Sequence, residues 1–258
     1  MRNKIKFFCF SDVHSHYTYL KKALDDAGFD PKNTNHWVIS CGDELDRGDE
    51  SKEVIEFLLS LPRKIIVRGN HTDLVFSCIK RGFPLYHDYS NGTVKTIADI
   101  SGIKSLEDFK KGCSIVLEKI QPLADIMVDY FETKNYVFTH STLPIRKDGL
   151  LDPNWRRASA KRWSDARWGN PFHSAEQGIV PKNKKLVFGH WHTSYAWSEL
   201  KGTPEHGKGA IYDIFETDKY IGLDACTVLS KKVNIKIIED QLLTTEVVSL
   251  HTSSSVND

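Results

Sequence analysis

Trp37-Val38-Ile39-Ser40-Cys41 runs directly into Gly42-Asp43-Glu44-Leu45-Asp46-Arg47-Gly48. An apolar stretch the length of one buried strand stops at glycine, and three carboxylates and an arginine follow within seven residues. Four further stretches share this grammar. Phe7-Phe8-Cys9-Phe10 ends in Ser11-Asp12-Val13-His14, and residues 65–67 lead to Gly69-Asn70-His71. Tyr136-Val137-Phe138 leads to His140, and Leu186-Val187-Phe188 to Gly189-His190-Trp191-His192. Apolar runs bounded by glycine and polar residues read as buried strands, and open α/β sheets bind ligands beyond the carboxyl ends of their strands. The five endings therefore point to one site on one edge of an α/β fold.

Between these runs the period changes to that of helices. Leu20, Ala23, Leu24 and Ala27 recur at spacings of three and four before Gly28, predicting a helix near residues 16–27. Val54, Ile55, Leu58 and Leu59 predict a second, ended before Pro62. Two consecutive βαβ units follow, and with them a parallel sheet with right-handed crossovers. Helices are also predicted over 71–80 and 105–121, the latter with Leu106, Phe109, Ile115, Val116, Leu117 and Ile120 as its apolar set and Gly112 as an interruption. From Ile126 to His140 the pattern is β, turning at Thr133-Lys134-Asn135. Residues 210–215, 219–225 and 234–238 read as further strands in a mixed second half. Residues 146–183 form an irregular insert rich in Trp and Arg, and the polar tail 252–258 is expected to fray.

The 258 residues suit one domain spanning 1–258, and 40% hydrophobic with 27% charged residues is ordinary for a globular chain with a sizeable core. A formal net charge of +1 gives no strong nucleic-acid signature. The five cysteines are odd in number and lack CxxC spacing, so neither a disulfide framework nor a zinc knuckle is indicated. The initial apolar run is too short for a signal-peptide core, and no stretch reaches the ~18 apolar residues that span a bilayer. A cytoplasmic protein without membrane partners is expected.

The endings offer a definite chemistry. Asp12 and His14, two apart, leave the same face of an extended chain and can grip one cation. Asp43 can lie between two cations, with Asn70, His140 and His190 completing the second. Such oxygen and nitrogen donors suit Mn, with Fe, Zn or Co as alternatives. Two metals clamp attacking and leaving oxygens, and a water between them becomes a nucleophile near neutral pH. His71, oriented by Asp46, is the candidate general acid, and Arg47 can hold phosphate oxygens through its planar fork.

These blocks resemble the calcineurin-like metallophosphoesterase superfamily, most closely its phosphoprotein phosphatase branch with the related bacterial and phage enzymes and the diadenosine tetraphosphatases. The blocks DxH, GDxxDRG, GNH, a lone His and GH stand here in family order between residues 5 and 192. The resemblance implies a two-sheet α/β sandwich flanked by helices, with its ligands on loops at strand ends. It also implies a dinuclear metal-dependent phosphomonoesterase acting on a phosphoprotein, with metal ligands Asp12, His14, Asp43, Asn70, His140 and His190, Asn70 also touching phosphate. A dinucleoside polyphosphate hydrolase, a phosphodiesterase or nuclease, and a weakly active metal-binding module remain alternatives.

The chain departs from the family pattern in three places. Thr72 stands where the family has glutamate. Gly189-His190-Trp191-His192 has the GHxH form of the nuclease-like members, in which His192 would join the first metal. The second phosphate-binding arginine is Arg167, after Trp163-Ser164-Asp165, or its rival Arg162. Trp155, Trp163 and Trp168 are core or base-stacking residues, with packing the default for large aromatics. His36, His87, His173, His206 and His251 show no partner pattern.

Overall fold

The computed structural model describes residues 4–243, so the expected fraying at 252–258 lies outside the described residues. Strand and helix alternate through the first half: β1 (Ile5–Phe10), α1 (Tyr17–Asp26), β2 (His36–Ser40), α2 (Ser51–Ser60), β3 (Lys64–Val67), α3 (Asn70–Arg81), α4 (Tyr86–Asn91), α5 (Thr93–Ser101), α6 (Phe109–Ala124) and β4 (Met127–Val128). The second half runs β5 (Tyr130–Glu132), β6 (Tyr136–Thr139), α7 (Ala160–Ala166), α8 (Pro171–Glu176), β7 (Lys185–Phe188), α9 (Thr193–Lys201), β8 (Phe215–Glu216), β9 (Tyr220–Gly222), α10 (Thr227–Ser230) and β10 (Lys236–Asp240).

Two five-stranded sheets result, in the orders β10-β1-β2-β3-β4 and β5-β6-β7-β9-β8. β1 to β4 are mutually parallel and β10 joins β1 antiparallel. In the second sheet β6, β7 and β9 are parallel, edged by antiparallel β5 and β8. Alternation along each strand decides which layer a side chain enters. Phe7, Cys9, Ile39, Ile65 and Val67 meet Phe131, Phe138, Val187 and Ile221 between the sheets. Phe8, Phe10, Val38 and Ile66 instead pack against α1, α2, α3, α5 and α6. Val137, Leu186, Phe188 and Tyr220 face Trp155, Trp163, Phe172 and Ala196. The two-sheet α/β sandwich flanked by helices is thus the observed architecture.

Several details differ from the sequence reading. The expected hairpin is present, with Tyr130 opposite Thr139. β4, however, belongs to the other sheet, and the chain changes sheets at Asp129. The segment expected as strand 210–215 is strand only at its end, since backbone carbonyls there are met by side chains rather than by a ladder. Asn234 Nδ2 donates to Tyr212 O at 2.8 Å and Trp197 Nε1 to Asp213 O at 3.1 Å. The strand expected at 234–238 forms two residues later and completes the first sheet, not the second half. In α6 Leu106 and Leu117 are not apolar-face residues: Leu106 precedes the helix and both are exposed, with Cys113 and Leu123 inward instead. Gly112 is there because a Cβ would collide with Ile103 and Ser101 at the end of α5.

α4 and α5 were not visible in the apolar pattern. α5 buries Thr93, Thr96, Ile97 and Ile100, a helical stripe half made of threonine and therefore half polar on paper. The supposedly irregular insert contains α7 and α8, and Trp155 and Trp163 pack on Tyr130 in the outer core, at ring separations of 4.8 and 5.2 Å.

The two sheets are tied at one end by Asp240. Its carboxylate accepts from Thr133 Oγ1 at 2.6 Å, Asn135 N at 2.8 Å and Asn135 Nδ2 at 2.7 Å, all in the hairpin turn of the second sheet. Removing a buried acceptor leaves its donors unsatisfied, at a cost of about 1–3 kcal/mol. Asp240→Ala should lower the thermal midpoint by roughly 2–12 °C, at roughly 2–4 °C per kcal/mol for a chain of this size. An unchanged melt would show that the tie contributes nothing.

Candidate metal centre

The parallel strands deliver their following loops to one edge. β1 is followed by Asp12 and His14, β2 by Asp43, Asp46 and Arg47, β3 by Asn70 and His71 at the start of α3, β6 by His140, and β7 by His190. The backbone there is forced into the left-handed region at Asp12, His14, Ser15, Asp43, Asp46, Arg47 and His190, with φ between 48° and 74°. Such conformations cost of order 1–3 kcal/mol each and persist only where the surroundings over-determine them. Two glycines permit the close approach that does so. A Cβ on Gly69 would strike the Asp43 carboxylate, and one on Gly189 would strike Ser11 and the Asp12 carboxylate.

Asp43 is the hub. Its Oδ2 lies 3.9 Å from His14 Nε2 on one side and 3.5 Å from His140 Nε2 on the other. His140 Nε2 in turn faces Asn70 Oδ1 at 2.8 Å and His190 Nδ1 at 3.2 Å. Asp12 Oδ1 is 3.9 Å from His14 Nε2, and Asp12 Oδ2 accepts from the His190 amide at 2.8 Å. The far ring nitrogens are anchored: His14 Nδ1–H donates to Leu45 O at 3.0 Å and His140 Nδ1–H to Cys41 O at 2.8 Å. Each anchor fixes the tautomer that leaves Nε2 as a lone pair facing Asp43.

Charge sorts the group. Burial drives the pKa of His14 and His140 down, and that of His190 down to about 3, so these rings are neutral donors. Burial also pushes Asp43 up, but His140, His71, His14 and His190 outweigh it and hold the carboxyl well below its usual range. Asp12 moves up, through burial and then through its neighbours Asp224 and Asp43. Neutral imidazoles facing one another, beside buried carboxylates that repel, form a donor set that a cation would satisfy. His14 and Asp43 with His71, and Asp43 with His140 and His190, each bring ligand atoms within 4.8 Å of one another. The residues present fit a pair of cations sharing Asp43.

His71 differs from the other rings. Burial lowers its pKa, but Asp43 and Asp46 outweigh this and the net shift is upward, towards a protonated ring. His71 Nδ1–H donates to Asp46 Oδ2 at 2.8 Å. Asp46 is itself held by Thr93 Oγ1 and Thr96 Oγ1, each at 2.8 Å, on the helix that the apolar pattern did not show. Arg47 is exposed at the edge, its Nη2 3.4 Å from His71 Nε2.

The remaining expected residues are distributed unequally. Arg167 is buried, its Nε and Nη2 on Asp73 Oδ2 at 3.0 and 2.8 Å and its Nη1 on Asp129 at 2.8 Å, close enough to His140 to depress that ring. Asp73, beside Thr72, thus anchors the arginine from α3. Arg162 is not brought to the site; it binds Asp152 and donates to Ile145 O at 2.6 Å. His192 is not gathered with His14 and Asp43, but faces Glu205 and His206. Trp168 is 51% exposed, its ring 6.3 Å from His190. Sequence reasoning missed Asp224, a buried carboxyl pushed up to about 7 by burial, which lines the cavity shared by His14, Arg47 and His190. Tyr220-Ile221-Gly222-Leu223-Asp224 is the same apolar-run-to-acid grammar, and would have found it.

A family model described as calcineurin-like phosphoesterase matches residues 5–216. Serine/threonine-protein phosphatase 2 of Escherichia coli (strain K12) is 37% identical over 71 residues, covering 28% of this chain and 31% of its own. The symmetrical bis(5'-nucleosyl)-tetraphosphatase of Buchnera aphidicola subsp. Acyrthosiphon pisum (strain Tuc7) is 37% identical over 62 residues, covering 24% of this chain and 22% of its own. The chain therefore matches less than a third of the length of either relative. The cold-active protein-tyrosine phosphatase of a psychrophilic Shewanella species shares the fold, with a TM-score of 0.51 at 13% identity over 91% of this chain and 75% of that one.

A cation bound at 100 times its dissociation constant stabilises a fold by about 2.7 kcal/mol per site. Exhaustive chelation should therefore lower the melting temperature of manganese-loaded protein by roughly 10–20 °C if both positions fill. Asp43→Asn should abolish most of that response, and a wild-type melt indifferent to manganese would refute the metal centre.

Proposed function

The chain belongs to the calcineurin-like phosphoesterase family, and on that premise we propose that it is a divalent-metal-dependent phosphoric-ester hydrolase, of the phosphomonoesterase type that acts on phosphoserine or phosphothreonine. One observation carries this reading: the His71–Asp46 pair, whose carboxylates raise the ring's pKa, and the Arg47 fork stand beside the other donors around Asp43. Bare metal binding requires neither.

Asp12, His14 and Asp43 would hold one cation, and Asp43, Asn70, His140 and His190 the other. Manganese suits these donors, with iron, zinc and cobalt close behind. When bound, such cations supply Lewis acidity to a water and to the phosphoryl oxygens. The chain's own residues do the rest. Arg47 receives the phosphate through two of its donors, and Arg167, locked by Asp73 and Asp129, adds fixed positive charge on the His140 side. A leaving oxygen within reach of both Arg47 Nη2 and His71 Nε2, on their cleft side, would be oriented by the first and protonated from the second. Asp43 and Asp46 both favour the proton on His71, and Thr93 and Thr96 keep Asp46 in place.

Trp168 favours a second reading. An exposed indole beside His190 can stack a base, which would suit a dinucleoside polyphosphate. Release of phosphate from a phosphothreonine peptide and of nucleotide from diadenosine tetraphosphate, measured in parallel with and without manganese, separates the two. Preference for the peptide supports the first reading. Preference for the dinucleotide, with loss on Trp168→Ala, supports the second. A phosphodiester hydrolysed faster than either would overturn both.

The acid role has its own signature. A raised pKa keeps His71 protonated below its folded value and loses the proton as pH rises through it. The alkaline limb of kcat should therefore report His71. His71→Asn should lower kcat by about 10²–10⁴-fold. Asp46→Asn, which removes one of the two charges that raise the pKa and leaves Asp43, should move the alkaline limb to lower pH. An alkaline limb that stays put in Asp46→Asn would exclude His71 as the acid.

A further inference from the structure

His192, Glu205 and His206 form a second cluster at the mouth of the cleft, apart from the donors around Asp43. We propose that these three side chains are a third divalent-cation site, of zinc type, with its open position on the cleft.

The spacing argues for a shared cation rather than for paired charges. His192 Nε2 lies 3.5 Å and His206 Nε2 3.6 Å from the same Glu205 Oε1. Charge-assisted hydrogen bonds close to about 2.7–2.9 Å, so neither contact is a formed one. A tetrahedral ion with bonds of ~2.0–2.2 Å holds its ligand atoms ~3.3–3.6 Å apart, which is the spacing observed.

The first ligand is held in position by a helix start. His192 caps the start of α9, and its Nδ1 is 2.8 Å from Ser194 Oγ and 3.2 Å from the Tyr195 amide. That amide also has the His192 carbonyl at 3.0 Å. Without a cation Nδ1 accepts from that amide; a cation on Nε2 would turn Nδ1 into a donor to Ser194 Oγ, and the amide would keep the His192 carbonyl. This outer-sphere bond is the kind that orients metal-binding imidazoles. The other two ligands come from the turn after α9, where Gly202, in the left-handed region at φ 74°, ends the helix and Pro204 precedes Glu205.

Two imidazoles and one carboxylate without cysteine make a three-ligand zinc set that leaves a fourth position open. His192 and Glu205 line the same cavity as Arg47, His190 and Asp224. A cation there would place positive charge where an anionic substrate enters, without belonging to the Asp43 group.

The test counts zinc per chain after saturation and gel filtration, in wild type, Glu205→Gln and His206→Ala, each also in an Asp43→Asn background. The His206 side chain is 56% exposed, so its loss leaves the core intact. The expected result is one zinc fewer in both rim variants, in either background. Equal zinc in wild type and His206→Ala would overturn the proposal. So would a difference that vanishes with Asp43→Asn, because His206 would then belong with the Asp43 group. Failure of the Asp43 centre alone would leave the rim difference standing.

Discussion

A single buried carboxylate, Asp43, faces imidazoles from both sheets, and most of the site's geometry follows from what that requires. A charge without water must be surrounded by partners. Here they arrive from β1 and β3 in the first sheet and from β6 and β7 in the second. Those partners have to come within a few ångströms, so the loops that bear them turn tightly and their flanking glycines cannot gain a side chain. The sandwich gives this convergence a rigid support. Its inner layer of Phe7, Ile39, Val67, Phe138 and Val187 locks the two sheets together immediately behind the loops.

Chemically similar side chains acquire different tasks from their surroundings. His14, His140 and His190 are buried where desolvation prevails and remain neutral donors. His71 is no less enclosed, yet Asp46 and Asp43 tip it the other way. The distinction is maintained by a helix remote from any ligand motif, since Thr93 and Thr96 saturate Asp46 and leave it no alternative to pairing with His71. Arg167 is set in a comparable way by acids on two elements, Asp73 on α3 and Asp129 at the sheet crossover.

Much of this was legible because buried strands and ligand loops leave contrasting signatures side by side. The runs ending at Asp12, Asp43, Asn70, His140 and His190 marked strand, exit and a side chain of the central cluster in a few residues each. The supporting layer was less legible. Thr93 and Thr96 are polar in composition but inward in place, so α5 carried no readable apolar stripe. β10 pairs with β1 across nearly the whole chain, and no local pattern assigns a strand to one of two sheets. His192 and His206 showed no common motif, because it is the turn after α9 that brings them together. Arg162 stood as a rival to Arg167, which Trp163-Ser164-Asp165 favoured, until its partners were known; Asp152 had claimed it.

The left-handed residues around Asp43 have a consequence for how such a chain can change. Asp12, Asp43 and Asp46 sit where a Cβ is a burden, and Ser15 and Arg47 are less at ease there still. Glycine at Asp12 would relax the backbone and remove a buried carboxyl that burial, Asp224 and Asp43 all disfavour, so an inactivating replacement there would make the fold more robust. A lineage released from selection on this cluster would then drift towards stability by losing such a carboxylate first. The strands, helices and inner layer would outlast the chemistry they support, and a silent descendant would be recognised by a glycine where the acid had been.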